Sequence, residues 1–255
     1  MRGIAKPWPP KDISPLGCAP CSLREAEDEF LSALPVDITA RRARARTQFD
    51  QLDKGKLREV MYREQRSICV YCESLIKEEH PVPTIEHWCA LALYPDQALE
   101  WKNLYLSCCS PHSCNSAKGD QALRANSADP HLPPPASRAY EDIVGFTSRG
   151  EIYVRKDAVL DDATRSALER ALGEKSNDQV TQRPILNLNH PSLVAARRAA
   201  LDSEMERLER DFQNRLASKE KREEIAAKML KRIAFPAFVS IRVAWLRKRL
   251  GKGRE

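Results

Sequence analysis

The sequence predicts an α+β protein in which a small cysteine-rich unit lies between two mainly helical regions. Helical spacing of apolar residues dominates both ends of the chain, and six of the eight cysteines fall between residues 69 and 114. One clear hairpin pattern follows, at residues 141–155. Aromatic residues make up 6% of the 255 residues and charged residues 31%, which suits a helical protein with much solvated surface.

The N-terminal region, residues 1–66, is predicted to be an extended proline-rich segment followed by helices. Ser22 followed by Glu25 is a capping-box pattern, so a first helix is expected to begin there. Asp37 is the expected N-cap of a second helix, and Lys54-Gly55 is expected to interrupt the helical pattern before it resumes.

The cysteine-rich unit is placed at residues 67–125, and residues 126–255 form the third region, a hairpin followed by helices. Three consecutive prolines, Pro133 to Pro135, exclude a helix before the hairpin. Beyond Asp161 a helical stripe of apolar residues predicts a face that packs within the chain rather than one that binds a partner helix. The stripe consists of Leu201, Met205, Leu208, Phe212 and Leu216.

Positive charge is concentrated in two blocks, although the net charge is only +6. Residues 40–66 hold nine Lys/Arg against four Asp/Glu, and residues 211–255 hold thirteen against five. Such blocks fit a polyanionic partner such as nucleic acid. For a single basic helix, a merely solvated face is the favoured interpretation.

The cellular compartment is expected to be the cytoplasm. The N-terminal MRGIAKPWPPKD lacks the apolar core of a signal peptide, and no stretch approaches the ~18 apolar residues that a membrane span needs. In a reducing compartment, closely spaced cysteines are more often metal ligands than disulfides.

A structural zinc site is the strongest chemical prediction. Cys69 and Cys72 form a CxxC, and Cys114 follows about 40 residues later together with either Cys108 or Cys109. Four thiolates give a closed tetrahedral shell, which stabilises a small unit and leaves no position open for a substrate.

A second cysteine pair and two tryptophans are interpreted as structural rather than functional. Cys18 and Cys21 form a second CxxC that could join Cys89 and the spare one of Cys108 and Cys109 in another zinc site, but free thiols are the favoured interpretation. Trp88 and Trp101 are expected to be core anchors rather than platforms for stacking bases.

Residues with catalytic potential lie between and beside the cysteines. Glu86 and His87 are adjacent, so strand alternation would point them to opposite faces unless a bulge or strand end intervenes. Asn103 follows, and Asn115 and Lys118 fall within one helical turn after Cys114.

The series CVYCE, IEHW, WKNLYLSC and CNSAKGD resembles the ββα-metal core of HNH endonucleases. The resemblance implies that His87 is the general base and that Glu86 and Asn115 are ligands of a catalytic Mg²⁺ or Mn²⁺. It also implies that Asn103 orders the loop between strand and helix, and that Lys118 reaches a phosphate.

The resemblance extends, more weakly, over most of the chain. MRGIAK at the N-terminus and the later ILNLNHPSLVAARRAALD are similar to the HNH proteins of bacterial anti-phage systems, the PtuB components of Septu and related retron proteins. It implies a nuclease acting on nucleic acid, with DNA favoured over RNA. It also implies a hetero-oligomer with an SMC/ABC-like ATPase of the PtuA type, and no membrane. The alternative is a zinc-containing nucleic-acid-binding or adaptor subunit without catalysis.

The sequence departs from the family pattern in three places. No proline comes soon after His87, five residues rather than two separate Cys108 from Cys114, and the acid before the histidine is Glu86 rather than aspartate.

Overall fold

The protein has an α+β fold, seen in a computed structural model that describes residues 18–77, 81–124, 132–135, 140–173, 184–212 and 217–247. Within these residues, eight α-helices accompany two small antiparallel sheets of two strands each. The helices are α1 Cys18–Ser32, α2 Ile38–Gln51, α3 Lys54–Glu64, α4 Cys114–Lys118, α5 Asp162–Leu172, α6 Pro191–Asp211, α7 Lys219–Leu230 and α8 Val239–Leu246. The strands are β1 Thr84–His87, β2 Leu104–Ser107, β3 Val144–Phe146 and β4 Ile152–Val154.

Membrane insertion finds no support in these helices: across the described ranges, none is both long enough and apolar enough to cross a bilayer.

The start of α1 differs from the prediction, which was wrong by four residues. The helix begins at Cys18 rather than at Ser22. Pro20 lies in its first turn, where backbone N–H groups have no partner within the helix, so a proline does not prevent the helix from starting there. The side chains of Cys18 and Cys21 lie outside the described part of the structure, and a second zinc site remains a prediction.

The caps of α2 and α3 are aspartates. The Asp37 carboxylate accepts from the Ala40 N–H at 2.7 Å, which confirms the predicted N-cap of α2. Asp53 caps α3 in the same way, accepting from Lys56 N–H at 3.1 Å. The helical pattern is therefore interrupted just before Lys54. Lys54 and Gly55 are the first residues of α3 and do not separate the two helices.

Each of the two sheets consists of one antiparallel pair of strands. β1 and β2 pair so that Glu86 lies opposite Tyr105 and His87 opposite Leu104. β3 and β4 confirm the predicted hairpin. Gly145 lies under the Tyr153 ring, and a Cβ atom there would be 2.6 Å from the ring, so a larger residue would require the ring to move.

Three clusters of buried apolar residues form the interior. The first joins the cysteine-rich unit to the β3–β4 hairpin, α5 and the first half of α6. The second lies between α1, α2, α3 and the other face of the β1–β2 sheet, and the third between α7, α8 and the end of α6. The small β1–β2 sheet therefore separates two cores, and each of its faces meets a different environment.

The apolar stripe of α6 packs within the chain, as predicted. Leu201 and Met205 join the first cluster, while Leu208 and Phe212 join the third. Leu216 lies outside the described residues. One helix thus connects the cysteine-rich unit to the C-terminal helices.

Candidate metal centre and adjoining site

Four cysteine side chains meet at one point of the first core. The Sγ atoms of Cys69, Cys72, Cys108 and Cys114 all lie within 4.8 Å of one another. Cys69 Sγ is 3.9 Å from Cys114 Sγ, and Cys72 Sγ is 3.7 Å from Cys108 Sγ. A zinc–sulfur bond of about 2.3 Å in a tetrahedron requires sulfur atoms about 3.8 Å apart. The donor set and its spacing fit zinc, and these four residues can hold it.

Cys108 rather than Cys109 completes the set. Cys109 is exposed, and its Sγ lies 3.1 Å from the carbonyl oxygen of Val82. The sequence left this choice open, because the two residues are adjacent and only the direction of the chain after β2 decides between them.

Backbone geometry around the cysteines is adapted to sulfur ligands. The Cys108 N–H donates to Cys69 Sγ at 3.3 Å, and the Ser74 N–H donates to Cys72 Sγ at 3.4 Å. Glu73 and Cys114 have positive φ values of 66° and 58°. Such values cost side-chain-bearing residues about 1–3 kcal/mol each and persist only where the surroundings impose them.

The electrostatics of the cluster favour a thiolate at Cys69. Burial raises the pKa of this thiol, but the thiols of Cys108, Cys114 and Cys72 together outweigh burial, and the pKa falls well below its usual range. The thiols of Cys108, Cys69 and Cys72, together with burial, raise the pKa of Cys114. A divalent cation replaces the thiol protons when it binds.

A buried arginine accompanies the cluster from α6. Arg197 is 2% exposed and donates to the carbonyl oxygens of Gly150 and Leu188. Burial lowers its pKa to about 10, while the nearby charges of Cys72 and Glu73 act in the opposite direction. A tetrathiolate zinc site is anionic, and Arg197 is a fixed positive charge beside it.

Glu73, directly after Cys72, connects the cluster to the C-terminal helices. Its carboxylate accepts from both the N–H and the hydroxyl of Ser240, at 2.9 and 2.7 Å, in the first turn of α8. Its carbonyl oxygen accepts from Phe238 N–H at 2.8 Å. The cysteine-rich unit therefore caps the N-terminus of α8.

Glu86, the predicted ligand of a catalytic ion, lies in a closed ion pair. Its Oε1 accepts from Lys118 Nζ at 2.7 Å and from Tyr71 Oη at 3.0 Å. Both charged side chains are at most 5% exposed. Burial raises the pKa of the Glu86 carboxyl, and the Lys118 ammonium opposes that rise. Lys118 also donates to the carbonyl oxygen of His87 at 2.8 Å.

His87 points to the other face of β1, as strand alternation predicts. Its Nε2 lies 3.0 Å from the carbonyl oxygen of Ala98, and its ring contacts Phe49 edge-on with centroids 4.6 Å apart. Burial lowers its pKa to about 4, and the positive charges of Arg46 and Lys54 act in the same direction. The imidazole is therefore neutral at physiological pH.

Asn103 ties the loop that follows β1. Its Oδ1 accepts from Cys89 N–H at 2.7 Å, and its Nδ2 donates to the carbonyl oxygens of Cys89 and Gln97 at 3.1 and 2.8 Å. The resemblance implies that Asn103 orders a loop between strand and helix, whereas the loop that it holds here joins β1 to β2. Asn115 is half-buried on α4, and its N–H donates to Ser107 Oγ at 3.4 Å.

The predicted site residues are only partly brought together. Glu86 and Lys118 contact each other, whereas the His87 ring lies across the strand from them. A hard divalent ion needs carboxylate oxygen free to bind it. Because the Glu86 carboxylate is already bound to an ammonium and a phenol in a buried position, this conformation does not fit Mg²⁺ or Mn²⁺ at Glu86.

Three residues of this region escaped the sequence analysis. Tyr71 lies inside the CxxC, and nothing in its position indicates a bond to Glu86. Arg197 and Glu204 could have been found, because both fall on the apolar face of α6 at helical spacing and both are buried. A charged residue on the apolar face of a helix is a signal that it has a partner.

No protein-family model matches this chain, and no curated protein is similar to it at a significant level.

Proposed function

We propose that the chain is an endonuclease of the HNH type that hydrolyses phosphodiester bonds with His87 as the base for the attacking water. The observation that carries the proposal is the protonation and orientation of the His87 ring. Because a carbonyl oxygen can only accept, Nε2 bears the proton that it donates to Ala98, and Nδ1 keeps a lone pair. A neutral imidazole held in one orientation is what a general base requires.

The surroundings of His87 support the proposal further. β1, β2 and α4 follow one another in the order of a ββα unit, and Asn103 holds the loop between β1 and β2. The four cysteines fix the ends of the unit, and zinc there would supply stability while taking no part in the reaction.

The resemblance also implies a catalytic Mg²⁺ or Mn²⁺ at Glu86 and Asn115. No step is assigned to such an ion, because Glu86 is bound to Lys118 in the described conformation. Binding of the ion would require Lys118 to leave Glu86, for example towards a substrate phosphate. Dependence of cleavage on a divalent ion is therefore a result to be measured.

A second candidate is a zinc-containing adaptor without catalysis, and one observation favours it. The Glu86–Lys118 pair satisfies both charges inside the protein, as in a structural ion pair. Under this proposal His87 would serve only the packing of β1 against α2.

The cellular role is proposed from the resemblance alone: anti-phage defence in the cytoplasm, DNA as the substrate, and control by an SMC/ABC-like ATPase partner. Within the segment at 185–202 that carries part of this resemblance, Ile185, Leu186 and Leu188 are fully buried in the first core, whereas Pro191, Ser192 and Arg198 are exposed.

Cleavage assays with plasmid DNA and with RNA test the proposal. Wild type, His87→Ala and the matched control His112→Ala, which removes an exposed ring, are compared with Mg²⁺, with Mn²⁺ and without either ion. We expect wild type and His112→Ala to cut and His87→Ala to be at least about 100-fold slower. Equal cleavage by His87→Ala and wild type, with equal zinc content, would remove His87 from the chemistry.

A further inference from the structure

The arginines of α2 divide into two groups with different surroundings. Arg41 donates to the Pro35 carbonyl oxygen at 2.9 Å and pairs with Asp96 at 2.9 Å. Arg44 donates to the carbonyl oxygens of Ala33 and Glu29 at the end of α1. These two side chains hold α2 against its neighbours, and their charges are not available to a ligand.

Arg42 and Arg46 form the second group. Both are exposed, and within the described residues neither makes an ion pair. They stand four positions apart, so they are neighbours on one helix face, and like charges in this arrangement destabilise a helix. Asp50, four residues after Arg46, is the one acid that continues this face, and no ion pair joins the two in the described structure.

The face of α2 that carries Arg42 and Arg46 lies near His87. Phe49 follows Arg46 by three positions, and its ring contacts the imidazole of His87. Lys54 places its ammonium 4.0 Å from the centre of the Phe49 ring. Arg46 and Lys54 are both close enough to His87 to act on it electrostatically. Positive charge from Arg46 and Lys54 therefore borders the candidate base, and Asp50 is the acid that acts on Lys54.

We propose that Arg42 and Arg46 form the surface on which the phosphodiester backbone of a nucleic acid lies when it reaches His87. This inference rests on the proposed function and names the substrate-binding surface of that site. Backbone phosphates suit it because exposed guanidinium groups bind phosphate oxygens in a bidentate manner and release condensed counterions. Contacts to backbone phosphates carry no sequence information, so binding here would have no sequence preference.

Binding is measured separately from cleavage, by fluorescence anisotropy of a labelled DNA duplex and of an RNA duplex with the same sequence. Zinc-loaded full-length protein is used without added Mg²⁺ or Mn²⁺, and a gel confirms that the probe is intact. The Arg42→Gln/Arg46→Gln variant is compared with wild type and with Lys156→Gln/Arg210→Gln, which removes two exposed charges elsewhere.

We expect the Arg42→Gln/Arg46→Gln variant to lower the slope of log K against log salt by about 1.8 and to weaken binding at least ~10-fold. The control variant should match wild type, and all three proteins should melt together because the changed side chains are exposed. The DNA and RNA arms decide which backbone the surface prefers.

Equal slopes for the three proteins would overturn the inference. Failure of wild type to bind either duplex would also overturn it. Neither result depends on whether His87→Ala abolishes cleavage, so the surface and the proposed catalytic role can fail independently.

Discussion

Replacement of Lys118 by methionine tests the buried ion pair most directly, because the change removes the charge and keeps most of the side-chain volume. Glu86 Oε1 and Lys118 Nζ are 2.7 Å apart. At an effective dielectric constant of about 20, their attraction is about 6 kcal/mol before the cost of removing both groups from water. Removal of one partner from such a buried pair typically costs about 3–5 kcal/mol, since the other charge stays buried without compensation.

The expected loss depends on pH in a defined direction. Burial already raises the pKa of Glu86, and loss of the Lys118 charge raises it further. A carboxyl whose pKa is raised in the folded state loses stability as pH rises through that pKa, and regains it in acid where the group is neutral. We therefore expect Lys118→Met to be about 3–5 kcal/mol less stable than wild type near pH 7.5 and clearly closer to it near pH 5.5.

Urea unfolding of zinc-loaded protein at the two pH values measures this difference. Lys102→Met, an exposed lysine in the same unit, is the control and should change stability by less than about 0.5 kcal/mol. Glu86→Gln combined with Lys118→Met removes both charges and should recover most of the loss. A Lys118→Met protein within about 1 kcal/mol of wild type near pH 7.5, or one whose deficit grows in acid, would refute the closed pair.

Three further predictions concern the same region. Purified protein should contain one zinc ion, which Cys114→Ser should lose and Cys109→Ser should retain in elemental analysis; equal zinc in both variants would exclude the four-cysteine site. Asn103→Ala should lower unfolding stability by about 2–4 kcal/mol because three hydrogen bonds to the loop are lost, and an unchanged urea midpoint would show that the loop is held otherwise. The pKa of His87, lowered to about 4, predicts stability that is fully present above about pH 6.5 and is lost as pH falls towards 4, by at most about 3 kcal/mol. His87→Gln should show a shallower decline over this range, and parallel curves would contradict a half-buried neutral imidazole.

The features that could be predicted from sequence depend on neighbours along the chain. The Asp37 cap, the β3–β4 hairpin and the opposite directions of Glu86 and His87 all follow from local spacing. The cysteine set was predictable as well, apart from the choice between Cys108 and Cys109, because CxxC pairs are local signals.

The contacts that define the candidate site join distant segments. Lys118 was expected to reach a phosphate, but it lies against Glu86, 32 residues earlier in the chain. Arg42 and Arg46 belong to a basic block that the sequence describes only as a whole, and the hydrogen bonds of Arg41 decide which charges stay available. Spacing within a motif carries no information about such pairings, because they depend on how separate elements pack.

The bond between Glu73 and Ser240 has a consequence for metal binding. Cys72 and Glu73 are consecutive, so the same short turn orients a zinc ligand and the carboxylate that holds α8. Zinc binding and the attachment of α8 both depend on this turn, so they share a coupling free energy. Each therefore strengthens the other by the same factor. A partner that draws α8 away from the turn would therefore weaken the affinity for zinc, and metal depletion would loosen the attachment of a helix whose first residue follows Glu73 by more than 160 positions.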